Sequence, residues 1–362
     1  MEKALNMTWK DKVRRVEPYV PGEQPKEEKI IKLNTNENPY PPAPGVQKAL
    51  QDLSAETMRL YPDPNASELV QAIAEQYRVQ PSQVFVGVGS DDVLSMAFLT
   101  FFNGEKPILF PDVSYSFYRV WAECYRIPYK TIPLTEDWAI DPALYAEENG
   151  GVIFPNPNAP TGIALPKEEI RKILDSNRDA VVIVDEAYID FGGESALPLL
   201  EEYDNLLVVQ TFSKSRSMAG MRIGFAIGNE ELIRCLSDVR YSVNSYTMNR
   251  PSIAAGTAAL KDTEYFRKTI QTICDTRDSV KDELEDMGFV CTDSRANFLF
   301  ASHPVHAAEE LYQRLRDRKI YVRYFAQPRI DNCLRITIGT TRQMQVFLDT
   351  LRQIIWEMEK EG

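Results

Sequence analysis

The segment that decides the fold runs from position 206 to position 224 and reads Leu206-Leu207-Val208-Val209-Gln210-Thr211-Phe212-Ser213-Lys214-Ser215-Arg216-Ser217-Met218-Ala219-Gly220-Met221-Arg222-Ile223-Gly224. Its apolar beginning predicts a strand buried on both faces of a parallel sheet. Lys214 would follow the end of that strand, beside Arg216, Arg222 and two glycines. Nearby cations and partial burial lower the pKa of a lysine, so an amine in this place could capture an electrophile such as an aldehyde.

Two upstream segments supply partners for that amine. Val181 to Val184 predicts a second buried strand that ends in Asp185-Glu186-Ala187-Tyr188, and Asn156-Pro157-Asn158-Ala159-Pro160-Thr161-Gly162 lies further upstream. Ligands of open α/β sheets bind at the carboxyl ends of strands, and a carboxylate there can keep a pyridine nitrogen protonated. The three segments predict a pyridoxal 5'-phosphate site whose catalytic residues are the lysine, Asp185 and Tyr188. The alternatives are a simple strand cap at Asp185 and a surface lysine in a basic loop.

A strand-to-helix turn near position 89 predicts a place for the cofactor phosphate. Gly89, Ser90 and Asp91 open a helix whose free backbone N–H groups can hold an anion. An inward carboxylate would repel phosphate, so we expect the Asp91 side chain to cap the helix while its backbone N–H faces the anion. Ser213 and Arg222 are further candidates for the phosphate. The alternative is that this turn is only a well-capped helix start.

Helices and short apolar strands alternate from position 45 onward. This alternation predicts an α/β large domain with a mostly parallel sheet that helices cover on both faces. We assign residues 1–44 to a proline-rich N-terminal arm that joins the small domain, 45–251 to the large cofactor-binding domain, and 252–362 to a smaller C-terminal α+β domain. The predicted elements of the large domain are strands at 84–88, 108–110, 152–154, 181–184, 206–211 and 224–227 and helices at 67–77, 93–102 and 168–174. In the small domain we predict a long helical region at 252–287, a helix at 307–318, strands near 321–322 and at 333–338, and a last helix from position 343.

Composition narrows the possible partners and compartments. The chain has 362 residues and a formal net charge of −12, which argues against binding to nucleic acid or to an anionic membrane. The N-terminus lacks the apolar core of a signal peptide, and the five scattered cysteines suit reduced thiols, so a cytoplasmic protein is expected. His303 and His306 lie outside every motif, and we expect them on the solvent side with no metal site.

The ordered motifs resemble a known family. Asn158-Ala159-Pro160-Thr161-Gly162, then Asp-x-x-Tyr after a buried strand, then Ser-Lys followed by Gly-x-Arg-x-Gly, are similar to the fold-type I pyridoxal-phosphate aminotransferases of classes I and II, over nearly the whole chain. Five further segments narrow the resemblance to the histidinol-phosphate aminotransferases. These segments are Glu17 to Gly22, Leu33 to Pro39, Arg59 to Asp63, Val322 to Phe325 and Leu334 to Thr340.

The resemblance implies a seven-stranded sheet, a homodimer and several residue roles. Lys214 would bind the cofactor aldehyde covalently and move a proton. Tyr115 would stack on the cofactor ring, and Tyr61 would reach the phosphate from a second subunit. Arg335 would grip a substrate anion with its planar guanidinium. Ordinary core packing for Tyr115 and an ordinary surface strand position for Arg335 are the alternatives.

One position departs from the family pattern. A second asparagine usually precedes Pro-Thr-Gly and hydrogen-bonds the ring hydroxyl, but Ala159 stands there in this chain. Either Asn158 reaches over to replace it, or Tyr188 makes that contact alone. We favour Asn158.

The resemblance also implies a reaction. It is the transfer of an amino group between histidinol phosphate or imidazole-acetol phosphate and glutamate or 2-oxoglutarate, in histidine biosynthesis. One pocket must then accept a phosphate in one half-reaction and a carboxylate in the other, and Tyr19, Asn34 and Arg323 are candidates to assist Arg335. The alternatives are an aromatic amino acid aminotransferase, a threonine-phosphate decarboxylase and a non-enzymatic regulator on the same scaffold.

Overall fold

The large sheet contains seven strands in the computed structural model, which describes residues 8–361. Their order across the sheet is β2-β8-β7-β6-β5-β3-β4, and β8 alone runs in the direction opposite to the other six strands. The α/β prediction with a mostly parallel seven-stranded sheet is therefore confirmed. The strands are β2 Val84–Gly87, β3 Ile108–Pro111, β4 Tyr129–Ile132, β5 Val152–Pro155, β6 Val182–Asp185, β7 Leu206–Thr211 and β8 Gly224–Gly228; a short β1, Ile31–Lys32, lies outside this sheet.

The strand that the sequence did not predict is β4, at one edge of the large sheet. Its residues read Tyr-Lys-Thr-Ile, and the two middle side chains are exposed. An edge strand with one solvated face lacks the continuous apolar run that marks the buried central strands. By contrast β5, β6 and β7 are buried along their whole length.

Ten α-helices lie within residues 8–361, and those near the large sheet cover its two faces. The helix at 67–77 has the predicted bounds, whereas the helix predicted from position 93 begins three residues earlier, at Ser90. The long helical region after position 250 is two helices, because Asp262 ends the first and caps the second by accepting from the Tyr265 backbone N–H. The helices are α1 Pro44–Gln51, α2 Ser67–Tyr77, α3 Ser90–Phe101, α4 Phe117–Tyr125, α5 Lys167–Ser176, α6 Glu230–Val243, α7 Arg250–Lys261, α8 Thr263–Asp286, α9 Ala308–Asp317 and α10 Thr341–Glu361.

A second, four-stranded antiparallel sheet follows in the C-terminal part of the chain, in the order β12-β13-β10-β9. The single strand predicted near positions 321–322 is two short strands, which belong to different sheets. One of them, β11, pairs in parallel with β1 of the N-terminal arm. The domain boundaries stay predictions. The strands are β9 Val290–Cys291, β10 Phe298–Ser302, β11 Ile320–Tyr321, β12 Arg323–Tyr324 and β13 Leu334–Thr337.

The prediction of solvent-side histidines is wrong. His303 and His306 are only 7% and 8% exposed, and their ring centroids are 4.6 Å apart. His303 Nδ1 accepts from the backbone N–H groups of Val305 and His306, and its ring packs edge-on against Phe289. Burial lowers the pKa of His303, so this ring favours its neutral form in the turn after β10.

Two features of the described residues bear on the class of protein. No helix within residues 8–361 is both long enough and apolar enough to span a membrane. The same residues contain no group of three or more His, Cys, Asp or Glu side chains arranged to hold a metal ion.

Candidate active site

Two adjoining cavities open at the carboxyl ends of β5, β6 and β7, each of about 180 Å³. Lys214, Tyr188 and Tyr115 line both of them. We call the one on the large-sheet side the inner cavity; its other lining residues include Ser90, Asp91, Asp185, Ser213 and Arg222. We call the other the outer cavity; its other lining residues include Tyr19, Asn34, Arg323, Phe325 and Arg335.

Lys214 lies three residues beyond the end of β7, at the junction of the two cavities. Its Nζ donates to the Thr35 carbonyl oxygen at 3.1 Å and lies 5.8 Å from the centroid of the Tyr188 ring. No carboxylate within residues 8–361 forms an ion pair with it. An amine held by a neutral carbonyl can be released to react, whereas a salt bridge would stabilise its charged form.

Arg216 does not supply the predicted cation beside Lys214. Its guanidinium packs over the rings of Phe212 and Phe266 and donates to the Ala259 carbonyl oxygen. It lines neither of the two cavities, so Arg222 is the cation that the 206–224 segment brings to the inner one.

Asp185 ends β6 and is 4% exposed. Its Oδ2 accepts from the Tyr118 hydroxyl at 2.8 Å and its Oδ1 from the Ala187 backbone N–H at 3.3 Å. Burial raises the pKa of Asp185 to about 6, because no cation within residues 8–361 compensates the desolvated charge. A buried carboxyl group in this state suits a cationic ring nitrogen.

Tyr118 is a contact of Asp185 that sequence reasoning missed. It lies on the buried face of α4, among other packed aromatic residues, and no motif in the sequence includes it. The buried hydroxyl needed a partner, which is the one signal that could have pointed to a polar role.

Arg222 lies close to the start of α3, and two glycines without side chains make this close approach possible. A Cβ on Gly89, which has φ +90°, would lie 2.5 Å from Arg222 Nη2, and one on Gly224 would lie 2.3 Å from the backbone N of Ser90. The guanidinium therefore lies against Gly89, at the start of α3. This cradle combines a cation, a helix N-terminus and the Ser213 hydroxyl, and it fits a phosphate group.

The Asp91 side chain does not cap α3, which corrects the prediction. Its Oδ1 accepts from the Tyr115 hydroxyl at 2.7 Å, and its Oδ2 lies 3.3 Å from Arg222 Nη2. Asp92 caps the turn instead, because its Oδ2 accepts from the Val88 backbone N–H at 2.9 Å. Asp91 thus holds the Tyr115 ring at the wall of both cavities.

Asn158 does not line the inner cavity and its buried Oδ1 has no partner in residues 8–361, so the role that we favoured for it stays a prediction. Its Nδ2 donates to the Val113 carbonyl oxygen and to Thr161 Oγ1, both at 3.0 Å, so both amide hydrogens are used. Ala159 lines both cavities, while Asn158 lines neither. Tyr188 is the residue whose hydroxyl faces this space, and it accepts from Asn36 Nδ2 at 2.9 Å.

Tyr61 is remote from both cavities within one chain. Its side chain is 76% exposed and stacks on the Tyr246 ring at a centroid distance of 4.5 Å. The expected contact across a dimer stays a prediction.

The outer cavity presents two guanidinium groups with no acidic partner within residues 8–361. Arg335 donates from Nη2 to the Asn34 carbonyl oxygen at 3.0 Å, and its buried Nε has no hydrogen-bond partner there. Its guanidinium lies over the rings of Phe298 and Phe325. Burial, together with the nearby charge of Arg323, lowers the pKa of Arg335. Two unpaired cations in one cavity form a site for an anion.

The N-terminal arm covers this cavity. The Tyr19 ring stacks on Phe117 of α4 at a centroid distance of 4.2 Å. Asn34 Nδ2 donates to the Glu23 carbonyl oxygen at 2.8 Å, while its buried Oδ1 has no partner in residues 8–361. All four predicted substrate residues therefore lie around one space, although they come from distant parts of the chain.

Comparisons with known proteins agree with this geometry. The family described as aminotransferase class I and II matches residues 28–351. A histidinol-phosphate aminotransferase of Clostridium acetobutylicum is 52% identical over 351 residues, which are 97% of this chain and 100% of that protein. One of Lactococcus lactis subsp. cremoris is 50% identical over 354 residues, 98% of this chain and 99% of that protein.

A solved structure agrees at the level of the fold. The histidinol-phosphate aminotransferase from Sinorhizobium meliloti, in complex with pyridoxal-5'-phosphate, has a TM-score of 0.82 and 25% identity, covering 90% of this chain and 92% of that chain. The resemblance seen in the motifs is confirmed. The chain belongs to the class I and II aminotransferases, which depend on pyridoxal phosphate.

Proposed function

We propose that the protein transfers an amino group between histidinol phosphate or imidazole-acetol phosphate and glutamate or 2-oxoglutarate. The relatives with this name match nearly the whole chain at about half identity, which supports the reaction. The observation that carries the substrate class is the pair of unpaired guanidinium groups, Arg323 and Arg335, in the cavity that Lys214 also lines. An amine donor with an anionic end fits this arrangement.

Pyridoxal phosphate fits the inner cavity at each of its polar ends. The phosphate would lie on the backbone N–H groups of Ser90 and Asp91, with Ser213 and Arg222 beside it. Asp185 would pair with the ring nitrogen, Tyr188 would donate to the ring oxygen, and Tyr115 would cover one face. The cofactor supplies an aldehyde that condenses with amines and a protonated ring that withdraws electrons.

Lys214 would move the proton of the reaction. Its Nζ lies at the junction of the two cavities, where it would take a proton from the amine-bearing carbon of the substrate and hold it for return.

Arg335 and Arg323 would accept the distal anion of either substrate. Histidinol phosphate has a phosphate at one end and no α-carboxylate, whereas glutamate has carboxylates. A flat guanidinium over two aromatic rings can bind either anion through paired N–H groups. The unpartnered Asn34 Oδ1 and the Tyr19 hydroxyl give the pocket further polar groups at its rim.

Purified protein supplied with pyridoxal phosphate tests the cofactor and the reaction class together. It should become yellow, with an absorbance band that borohydride abolishes. Glutamate should then convert the cofactor to its amine form with release of 2-oxoglutarate. Release of carbon dioxide instead would identify a decarboxylase.

The substrate is tested by comparing the specificity constants for histidinol phosphate and phenylalanine. Aromatic side chains around the outer cavity, including Phe325, make an aromatic amino acid the nearest rival. We expect histidinol phosphate to be preferred, and a preference for phenylalanine of more than about tenfold, or ~1.4 kcal/mol, would contradict the proposal.

A cytoplasmic homodimer is also part of the proposal. Tyr61 and Tyr246 form an exposed, stacked pair, which supports a subunit interface at this place. Leu60 and Val243, which lie near them in sequence, are at least half exposed. Tyr61 of one subunit would complete the phosphate site of the other. Dilution that separates the subunits should then weaken cofactor retention, and full retention by a monomer would contradict this arrangement.

A further inference from the structure

Asn36 joins three parts of the molecule at a single buried side chain. It lies in the N-terminal arm and is 1% exposed. Its Nδ2 donates to the Tyr188 hydroxyl at 2.9 Å, and its Oδ1 accepts from Thr337 Oγ1 of β13 at 3.0 Å. Asn297 Nδ2 donates to the Asn36 carbonyl oxygen, also at 3.0 Å.

The hydrogen bonds favour one orientation of the Asn36 amide. Thr337 Oγ1 accepts from the Asn36 backbone N–H at 3.0 Å and gives its single hydrogen to Asn36 Oδ1. In this arrangement the amide nitrogen faces Tyr188 and donates to its hydroxyl. A hydroxyl that accepts from an amide keeps its own hydrogen for another acceptor, and residues 8–361 offer none to Tyr188.

The backbone holds Asn36 in the place that this contact requires. Its φ is +56°, in the left-handed region, where asparagine and glycine are tolerated better than other residues. Thr337 also lies two residues after Arg335 on β13, so the same strand carries the anion-binding guanidinium and the anchor of the amide.

We propose that Asn36 is a positioning residue that directs the Tyr188 hydroxyl hydrogen toward the ring oxygen of the cofactor. The inference rests on the proposed function only because it requires the cofactor ring beside Tyr188. In the acid form of the holoenzyme the ring oxygen shares the proton of a neighbouring nitrogen, while in the alkaline form its charge is bare. A donated hydrogen bond stabilises the alkaline form more, so losing it raises the pH midpoint between the two forms.

Asn36→Gly tests this directly, because glycine adopts a positive φ without strain and removes only the amide. We expect the midpoint of the absorbance titration of the holoenzyme to rise by roughly half a pH unit or more, the size of one modest hydrogen bond. The affinity of the apoprotein for pyridoxal phosphate should fall several-fold. Asn36→Asp keeps the shape and the Thr337 contact but accepts the Tyr188 hydrogen, so it should raise the midpoint further.

Two controls separate positioning from a general loss of structure. In a Tyr188→Phe background, Asn36→Gly should cause no further shift, since the hydrogen that it directs is gone. Asn205→Ala removes another buried amide, whose Nδ2 donates to the carbonyl oxygens of Asn177 and Ala180, and should leave the midpoint unchanged.

An unchanged midpoint in Asn36→Gly, with a wild-type melting temperature, would overturn the inference while leaving the proposed function intact. An equal shift in the Tyr188→Phe background would overturn it as well. A wild-type protein that shows no titrating band with pyridoxal phosphate would overturn the proposed function and this inference with it.

Discussion

The inner and outer cavities differ in the charged side chains that line them. The inner one contains a buried carboxyl group, Asp185, that no cation in the described part of the chain compensates, and a guanidinium, Arg222, that Asp91 partly neutralises. The outer one contains two guanidinium groups with no acid opposite them in residues 8–361. The inner cavity is thus suited to a group with both a cationic and an anionic end, and the outer cavity to an anion alone. The residues proposed for the reaction therefore lie apart from those proposed to select the substrate. Substitutions in one cavity should change one of these properties without changing the other.

Loss of the reactive amine should give the largest effect, confined to the inner cavity. Lys214→Ala removes both the covalent partner of the cofactor and the proton carrier, so we expect transaminase activity to fall by at least about 10⁴-fold. The borohydride-sensitive band should be absent, while the apoprotein melts as the wild type does. Substantial residual turnover in Lys214→Ala would place the reactive amine elsewhere.

The next largest effect should be a pH-dependent change in stability at Asp185. Its folded-state pKa of about 6 is above its unfolded value, so the folded state binds more protons between about pH 4 and pH 6. Ionisation of Asp185 in the folded state therefore destabilises the protein, and this loss of stability grows as the pH rises through that window. Asp185→Asn should stabilise the apoprotein at pH 7 by on the order of 2–3 kcal/mol and by little at pH 4.

Urea unfolding of the two apoproteins at both pH values measures that difference. With pyridoxal phosphate bound, the order should reverse, because the asparagine lacks the charge that pairs with the ring nitrogen. Asp175→Asn is the matched control: this exposed carboxylate accepts from Arg178 and Tyr203, so its replacement should not stabilise the protein. An apoprotein that gains nothing at pH 7 from Asp185→Asn would show that burial of this carboxyl group is not costly.

A smaller effect, limited to the outer cavity, is expected from Arg335→Lys. Lysine loses the planar fork that binds an anion in two places, so kcat/KM should fall roughly 10- to 100-fold for histidinol phosphate and for glutamate. The absorbance spectrum with pyridoxal phosphate should not change. Arg316→Lys, at a half-exposed ion pair with Glu23, is the control and should have wild-type kinetics. A spectral change in Arg335→Lys would mean that the two cavities are not independent.

The smallest effect should come from the aromatic contact that holds the arm over the outer cavity. Phe117→Ala removes the ring on which Tyr19 stacks, and such pairs contribute about 0.5–1.5 kcal/mol beyond the area that they bury. The Michaelis constant for histidinol phosphate should therefore rise several-fold, with the affinity for pyridoxal phosphate retained. A larger loss of cofactor than of substrate affinity would assign Tyr19 to the inner cavity instead.

Prediction from sequence succeeded where a residue follows directly from a buried strand. Lys214 and Asp185 lie just after or at the end of β7 and β6, and the carboxyl ends of parallel strands meet at one edge of a sheet. Their proximity therefore followed from two apolar runs. The edge strand β4 was missed, because its half-exposed face breaks the apolar run.

Side-chain direction was harder to predict. Asn158 and Ala159 are adjacent, yet only Ala159 faces the cavity, and the Asp91 carboxylate contacts Tyr115 instead of capping its helix. Both outcomes depend on which buried partner satisfies each polar atom, and those partners are distant in sequence. For the same reason Asn36 gave no signal that marked it out, although it lies in a segment that resembles the family.

The sequence by itself determined the α/β architecture, the positions of Lys214 and Asp185 at strand ends, and the family, because each depends on local patterns of apolar runs and motif spacing. Only the tertiary structure decided which side chains meet: the two unpaired guanidinium groups around one cavity, the hydrogen bond from Tyr118 to Asp185, and the amide of Asn36 against Tyr188. The polar contacts around these residues join positions up to 301 apart, as between Asn36 and Thr337. The physical reason is that buried polar groups must find partners in three dimensions, and the periodicity of a sequence carries no information about where those partners lie.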